Sequence, residues 1–228
     1  MRRESSSRAG VGVTLLAGVA LLAGCLEMEG SESAVSVLID VSGTYADEKA
    51  DVVRILKREV IPALAPGDTL IAILVDSESY ETDNVVALTT LDARPSRANA
   101  QKLALSQRLD ALATSGARAR HTDLPGAMML ASEYLRESPA PNRVMLVFSD
   151  LHEDLPDGTR RALRDDEFAG IHLVAMNVKR LGSDNADPER YRRRLEEWRH
   201  RVEAAGGAGW QVVMDTSKLG GVLEAIRG

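Results

Sequence analysis

A β-branched, mostly apolar run, Val35-Ser36-Val37-Leu38-Ile39, breaks at once into the polar turn Asp40-Val41-Ser42-Gly43-Thr44. The run has the length and composition of a strand buried on both faces, which implies a parallel sheet covered by helices above and below. Gly43 lets the backbone turn sharply behind it. Alternate residues leaving a strand face the same way, so Asp40, Ser42 and Thr44 are expected to bring one carboxylate and two hydroxyls toward one point. Hard oxygens of this kind suit Mg²⁺ or a similar cation.

The rest of the chain alternates in a way that extends such a sheet. Ala46 to Leu64 sets Val53, Leu56, Val60 and Leu64 on one helical face and stops at Pro66-Gly67. Thr69 to Val75 is a second continuous apolar run. The polar turn around Ser77–Tyr80 is too short for a crossover, so Asn84 to Leu91 is expected to pair antiparallel. Ser96 reads as the N-cap of a helix to Thr114, with Leu105, Leu109 and Leu112 inward, and a basic, Gly-containing loop covers Ser115 to His121. A helix over Leu124–Glu137 follows, then strands over Arg143–Ser149, Ile171–Asn177 and Trp210–Met214. Asp187-Pro188-Glu189 gives the order of cap, proline and acid that opens a helix carrying Tyr191, Leu195, Trp198 and Val202. A last helix runs from Ser217 to Arg227. The expected class is α/β: a doubly wound, Rossmann-like, mostly parallel central sheet with one antiparallel edge strand and helices on both faces. Functional loops of such sheets lie at the carboxyl ends of the strands.

The first residues read as an address rather than as part of that fold. Arg2, Arg3 and Arg8 precede an apolar run from Val11 to Leu22, too short for a comfortable membrane span, and small residues follow. Leu22-Ala23-Gly24-Cys25 resembles the lipobox of bacterial lipoproteins, in which the signal is cut before the Cys and the thiol receives a diacylglycerol. That resemblance implies a signal peptide over residues 1–24, a lipidated Cys25 with a short polar tether to residue 33, and a domain over 34–228. Export and anchoring to the bacterial cell envelope follow from it, at the inner or outer membrane or the cell surface. Loss of the first 24 residues removes three Arg and one Glu and leaves 204 residues of net charge −8. An acidic body of this size can bury a full core, and it argues against nucleic acid as a partner. Cys25 is the single cysteine, so no disulfide framework is expected.

Two more polar sites fall at the expected carboxyl edge. Thr122-Asp123-Leu124-Pro125 opens the third helix, and Ser149-Asp150 closes the strand after it. With Asp40, Ser42 and Thr44 they resemble the metal-ion-dependent adhesion site of von Willebrand factor A domains: Asp-x-Ser-x-Ser after the first strand, a Thr in a helix-opening loop, and an Asp ending the fourth strand. The resemblance implies one Mg²⁺ or Mn²⁺, with Ser42, Thr44 and Thr122 giving hydroxyl oxygens and Asp40 and Asp150 orienting coordinated waters. It also implies a binding protein rather than an enzyme, whose partner presents an Asp or Glu carboxylate. Tyr45, His121, His152 and Glu153 would ring the site and meet that partner. Thr44 stands where Ser is commoner, Arg120 and His121 replace small residues, and Leu151 replaces a usual Gly.

Three rivals follow from the same residues. Asp40-Val41-Ser42-Gly43-Thr44 differs from the Asp-x-Asp-Gly-Thr of haloacid-dehalogenase-type phosphatases at Ser42, which cannot protonate a leaving group at neutral pH; Asp165-Asp166 would imitate their later acidic pair. A zinc site is disfavoured because His121, His152, His172 and His200 lack helical ligand spacing. A metal-free scaffold that uses the fold only for assembly is the third.

Overall fold

The computed structural model describes residues 31–43, 45–176, 178–179 and 181–227. The signal segment, Cys25 and Thr44 lie outside them. Six strands form one sheet: β1 (Ser33–Asp40), β2 (Thr69–Val75), β3 (Val85–Thr90), β4 (Asn142–Phe148), β5 (Ile171–Met176) and β6 (Gly209–Val213), in the order β3-β2-β1-β4-β5-β6. Only β3 runs antiparallel, against β2. All eight residues of β1 are buried, as its position in the middle of the sheet requires.

Side-chain alternation along β1 divides the core. Val35, Val37 and Ile39 face one layer, formed with α1 (Lys49–Ile55), α3 (Pro95–Thr114) and α7 (Leu219–Arg227). Ala34 and Leu38 face the other, formed with α4 (Leu124–Glu137) and α6 (Pro188–Ala204). Helices therefore cover both faces, as the apolar runs predict.

Local outcomes differ from the sequence reading in instructive places. The expected helix over 46–64 is four pieces: a 3₁₀ turn at Tyr45–Glu48, α1, a π-helical turn at Leu56–Val60, and α2 (Ile61–Ala63). Ser96 does not cap α3; the helix begins at Pro95, whose fixed φ suits the first helical position, and Arg94 precedes it with no side-chain cap. Asp187 does cap α6, accepting from the Glu189 amide at 3.1 Å. A short helix, α5 (Gly182–Ala186), sits before it and is not signalled by the sequence. Among the described residues no helix is long and apolar enough to cross a membrane.

β1 and β4 are neighbours, and successive connections leave them in opposite directions across the sheet. The crevice beyond their carboxyl ends is where open α/β sheets bind ligands.

Candidate metal centre at the sheet switch point

Asp40 is the last residue of β1 and is 1% exposed. Gly43, at φ +46°, turns the chain back over the strand end. Ser42 thereby returns two donors to Asp40 Oδ1, its amide at 2.8 Å and its hydroxyl at 2.5 Å. Across the switch point, Ser149 follows β4 directly and donates its hydroxyl to Asp40 Oδ2 at 2.6 Å. The carboxylate is thus clamped from both strands by neutral groups. Burial pushes its pKa up to about 6; the bonds from Ser149 and Ser42 oppose that shift, and the charge of Asp150 adds to it.

Thr122 comes from the third loop. Its Oγ1 lies 2.5 Å from Ser42 Oγ. Since Ser42 donates its proton to Asp40, Thr122 donates to Ser42, and the three residues form one directed chain. The Thr122 backbone pairs with Asp154 in both directions, at 2.7 and 3.1 Å, and the Asp123 amide donates to Asp76 O after β2 at 2.7 Å. The loop is therefore held by the ends of β2 and of β4 alike.

Two supports escape a reading of the sequence. Asp123, fully buried, caps α4 through the Gly126 amide at 2.9 Å and forms an ion pair with Arg161 at 2.7 Å. A Cβ at Gly126 would come within 2.3 Å of that carboxylate, so the close approach requires glycine. Lys49, on α1, buries its ammonium against Ser115 O at 2.5 Å and Ala117 O at 3.2 Å. Burial, and secondarily Arg118, lower its pKa. Lys49 fixes the stretch whose Ala119 amide donates to Val41 O at 2.9 Å. The Asp123–Arg161 pair and the Lys49 contacts join residues dozens of positions apart, and no local pattern signals them.

Asp150 is buried, and its Oδ1 accepts from the His152 amide at 2.8 Å. Leu151 takes φ +61°, a left-handed conformation that glycine adopts more readily, so here a leucine makes the turn. Its side chain is buried, and Trp198 Nε1 donates to its carbonyl at 2.9 Å.

The expected rim is corrected at one position. Tyr45 is 1% exposed and packs in the α1–α3–α7 layer, because the 3₁₀ turn swings it inward. Among the described residues its hydroxyl has no hydrogen-bond partner, and burial, together with Asp40, Glu48 and Asp150, raises its pKa. His121, His152 and Glu153 do lie at the surface; His121 Nδ1 is 3.0 Å from Asp154, and Glu153 forms an ion pair with Arg201 at 2.6 Å.

Four of the five expected ligands therefore stand at the same sheet edge, Asp40 ending β1 and Ser42, Thr122 and Asp150 on loops, and Thr44 lies outside the described residues. The donor set fits a small hard cation: every group is a hydroxyl or carboxylate oxygen. The 2.5 Å between Ser42 and Thr122 oxygens is shorter than the roughly 3 Å between adjacent ligands of octahedral Mg²⁺, so a small opening of one hydrogen bond makes the fit. Among the described residues no group of three His, Cys, Asp or Glu is placed to hold a metal. Asp165 and Asp166 precede β5 and so stand at the amino edge of the sheet, opposite Asp40, where they cannot serve a phosphatase site.

No family model matches the sequence, and no curated protein matches it. Solved structures do match the fold. A von Willebrand factor type A protein from Catenulispora acidiphila aligns over 86% of this chain and 42% of its own, with 13% identity and a TM-score of 0.51. The PilB minor pilin from Streptococcus sanguinis aligns over 86% and 60%, with 9% identity and a TM-score of 0.50. The protein BatB from Bacteroides thetaiotaomicron aligns over 87% and 96%, with 13% identity and a TM-score of 0.49. This chain thus spans less than two thirds of the first two. The likeness establishes a von Willebrand factor A fold, with its mixed six-stranded sheet.

Proposed function

With the von Willebrand factor A fold as premise, we propose that the chain is an exported, lipid-anchored module that binds another protein through one divalent cation, Mg²⁺ or Mn²⁺. The observation that carries this reading is the hydrogen-bonded convergence of Asp40, Ser42, Ser149 and Thr122 from three loops at the switch point. Ser42, Thr44 and Thr122 offer the cation hydroxyl oxygens; Asp40 and Asp150 hold its waters and balance its charge. A cation held mostly by neutral hydroxyls keeps a demand for anionic oxygen, which an Asp or Glu of the partner meets. Binding of this kind needs no nucleophile and no general base, and Ser42 supplies no acid for phosphoryl transfer. The reading is therefore of a non-enzymatic module, anchored through lipid on Cys25.

A second reading has its own support. The chain from Thr122 through Ser42 to Asp40 satisfies these groups without an ion, as a metal-free assembly scaffold would need. Thermal melting decides between them. With millimolar Mg²⁺ or Mn²⁺ the protein should melt several degrees higher than in chelator, and Asp40→Ala or Thr122→Ala should remove the difference. No shift in the unsubstituted protein leaves the scaffold.

A further inference from the structure

We infer that the pocket beside Asp150, walled by the arginine face of α6, takes a second acidic side chain from the same partner whose first carboxylate goes to the cation; this rests on the function proposed above. The pocket encloses about 280 Å³ between residues 151–153 and α6. Four arginines line it, Arg190, Arg193, Arg194 and Arg201, against the two acids Glu153 and Glu197. That is a local positive excess on a chain of net charge −6.

The arginines divide by role. Arg194 forks onto Asp184 at 3.2 and 2.7 Å and donates to the Asp150 carbonyl at 2.9 Å, so it serves the fold. Arg201 is held by Glu153 and lies 4.0 Å over the Trp198 ring. Arg190 and Arg193 are different. Both lean on Asp187, at 3.6 and 3.1 Å, with side chains 60% and 59% exposed. Asp187 also caps α6, and among the described residues neither arginine has a further ion-pair partner. Two exposed guanidinium groups that share one carboxylate leave planar, charge-assisted donors for another. The two acids in the wall make the site better suited to a singly charged carboxylate than to a dianion.

Pocket and cation site share a wall. The His152 amide binds Asp150 Oδ1, Arg194 holds the Asp150 carbonyl, and Trp198 holds that of Leu151. A partner segment that reaches the cation past Asp150 lays its neighbouring residues over Arg190 and Arg193. The partner surface is thus acidic at two points.

The test uses the full chain purified in detergent and two fluorescein-labelled probes, hexaglutamate and a Gly-Ser peptide carrying one Glu, followed by anisotropy in Mg²⁺ or in EDTA. Hexaglutamate should bind the Mg²⁺ form at least tenfold tighter than the one-Glu peptide. R190E/R193E should erase that advantage and leave the one-Glu peptide unchanged, and the milder R190Q/R193Q should fall between. In EDTA, weak hexaglutamate binding should persist in the unsubstituted protein and vanish in R190E/R193E. R54E/R58E, on α1 and the π-helical turn after it across the sheet from α6, should change nothing. The inference is overturned if R190E/R193E, melting as the unsubstituted protein does, binds hexaglutamate equally well, or if R54E/R58E weakens it as much. Arginine-dependent binding that ignores Mg²⁺ would support the pocket while removing the cation reading.

Discussion

At φ +61° Leu151 holds a left-handed conformation that costs a residue with a Cβ about 1–2 kcal/mol, and it does so beside Asp150. Burial of its side chain against the α4–α6 layer offsets the strain. The two terms separate by substitution. Leu151→Ala loses the packing and keeps the strained backbone; Leu151→Gly loses the same packing and releases the strain. We expect Leu151→Gly to unfold at higher urea than Leu151→Ala, by about 1 kcal/mol, against the usual preference for alanine. Equal stability, or a more stable alanine variant, would show that the backbone at 151 is not strained. Asp40 gives a second test at this scale. Its pKa is about 6 in the fold, above the ordinary 3.8, so the folded state holds the proton more tightly than the unfolded chain does. Its contribution is therefore fully present below pH 3.8 and is lost as pH rises through 6, by at most about 3 kcal/mol. In chelator, as pH rises across that window, the melting temperature of the unsubstituted protein should fall relative to that of Asp40→Asn. Parallel pH profiles for the two proteins would discard the assignment.

The elements that carry the site were legible because each ends an apolar run at a polar residue: β1 at Asp40, β4 at Ser149-Asp150, and α4 opening behind Thr122-Asp123. Tertiary packing decided what was not. The π-helical turn at Leu56–Val60 leaves the apolar spacing of its helix nearly unchanged, so periodicity passes over it. The resemblance puts Tyr45 on the rim of the site, yet the 3₁₀ turn buries it. Lys49 carries no sequence signal of its contact, since α1 presents it to a carbonyl 66 residues away. That last contact predicts coupling between elements. Lys49→Met should leave the carbonyls of Ser115 and Ala117 without their donor and cost about 1–3 kcal/mol. Hydrogen exchange should quicken at Ala119 and Thr122, whose amides depend on that loop, with β4 and β5 unchanged. Uniform quickening across the sheet would mean that Lys49 supports the whole fold rather than the loop.

At the scale of the molecule, the two ends of β1 have different tasks. Its amino end is fastened by a cluster at the opposite edge from the site: Asp68 accepts the Ser33 amide at 2.8 Å and the Ala65 amide at 2.7 Å, and Arg227 pairs with Asp68 and donates to Ser33 Oγ at 3.2 Å. In the proposed reading, the tether from Cys25 joins the domain at that edge. The eight residues of β1 then carry the chain about 26 Å to Asp40. Under the lipid anchor proposed above, the amino edge would face the membrane and Asp40, Thr122 and the arginine face of α6 would face the aqueous side. The sequence has a single cysteine, so once that thiol carries lipid an introduced cysteine is the only free one to label. In vesicles containing an acceptor lipid, a donor dye at His152→Cys, on the site edge, should transfer energy less efficiently than one at Glu137→Cys, at the far end of α4. Equal transfer from the two positions would mean that the tether lets the domain tumble freely. Stronger transfer from position 152 would set the site against the membrane and leave a soluble partner no approach to it.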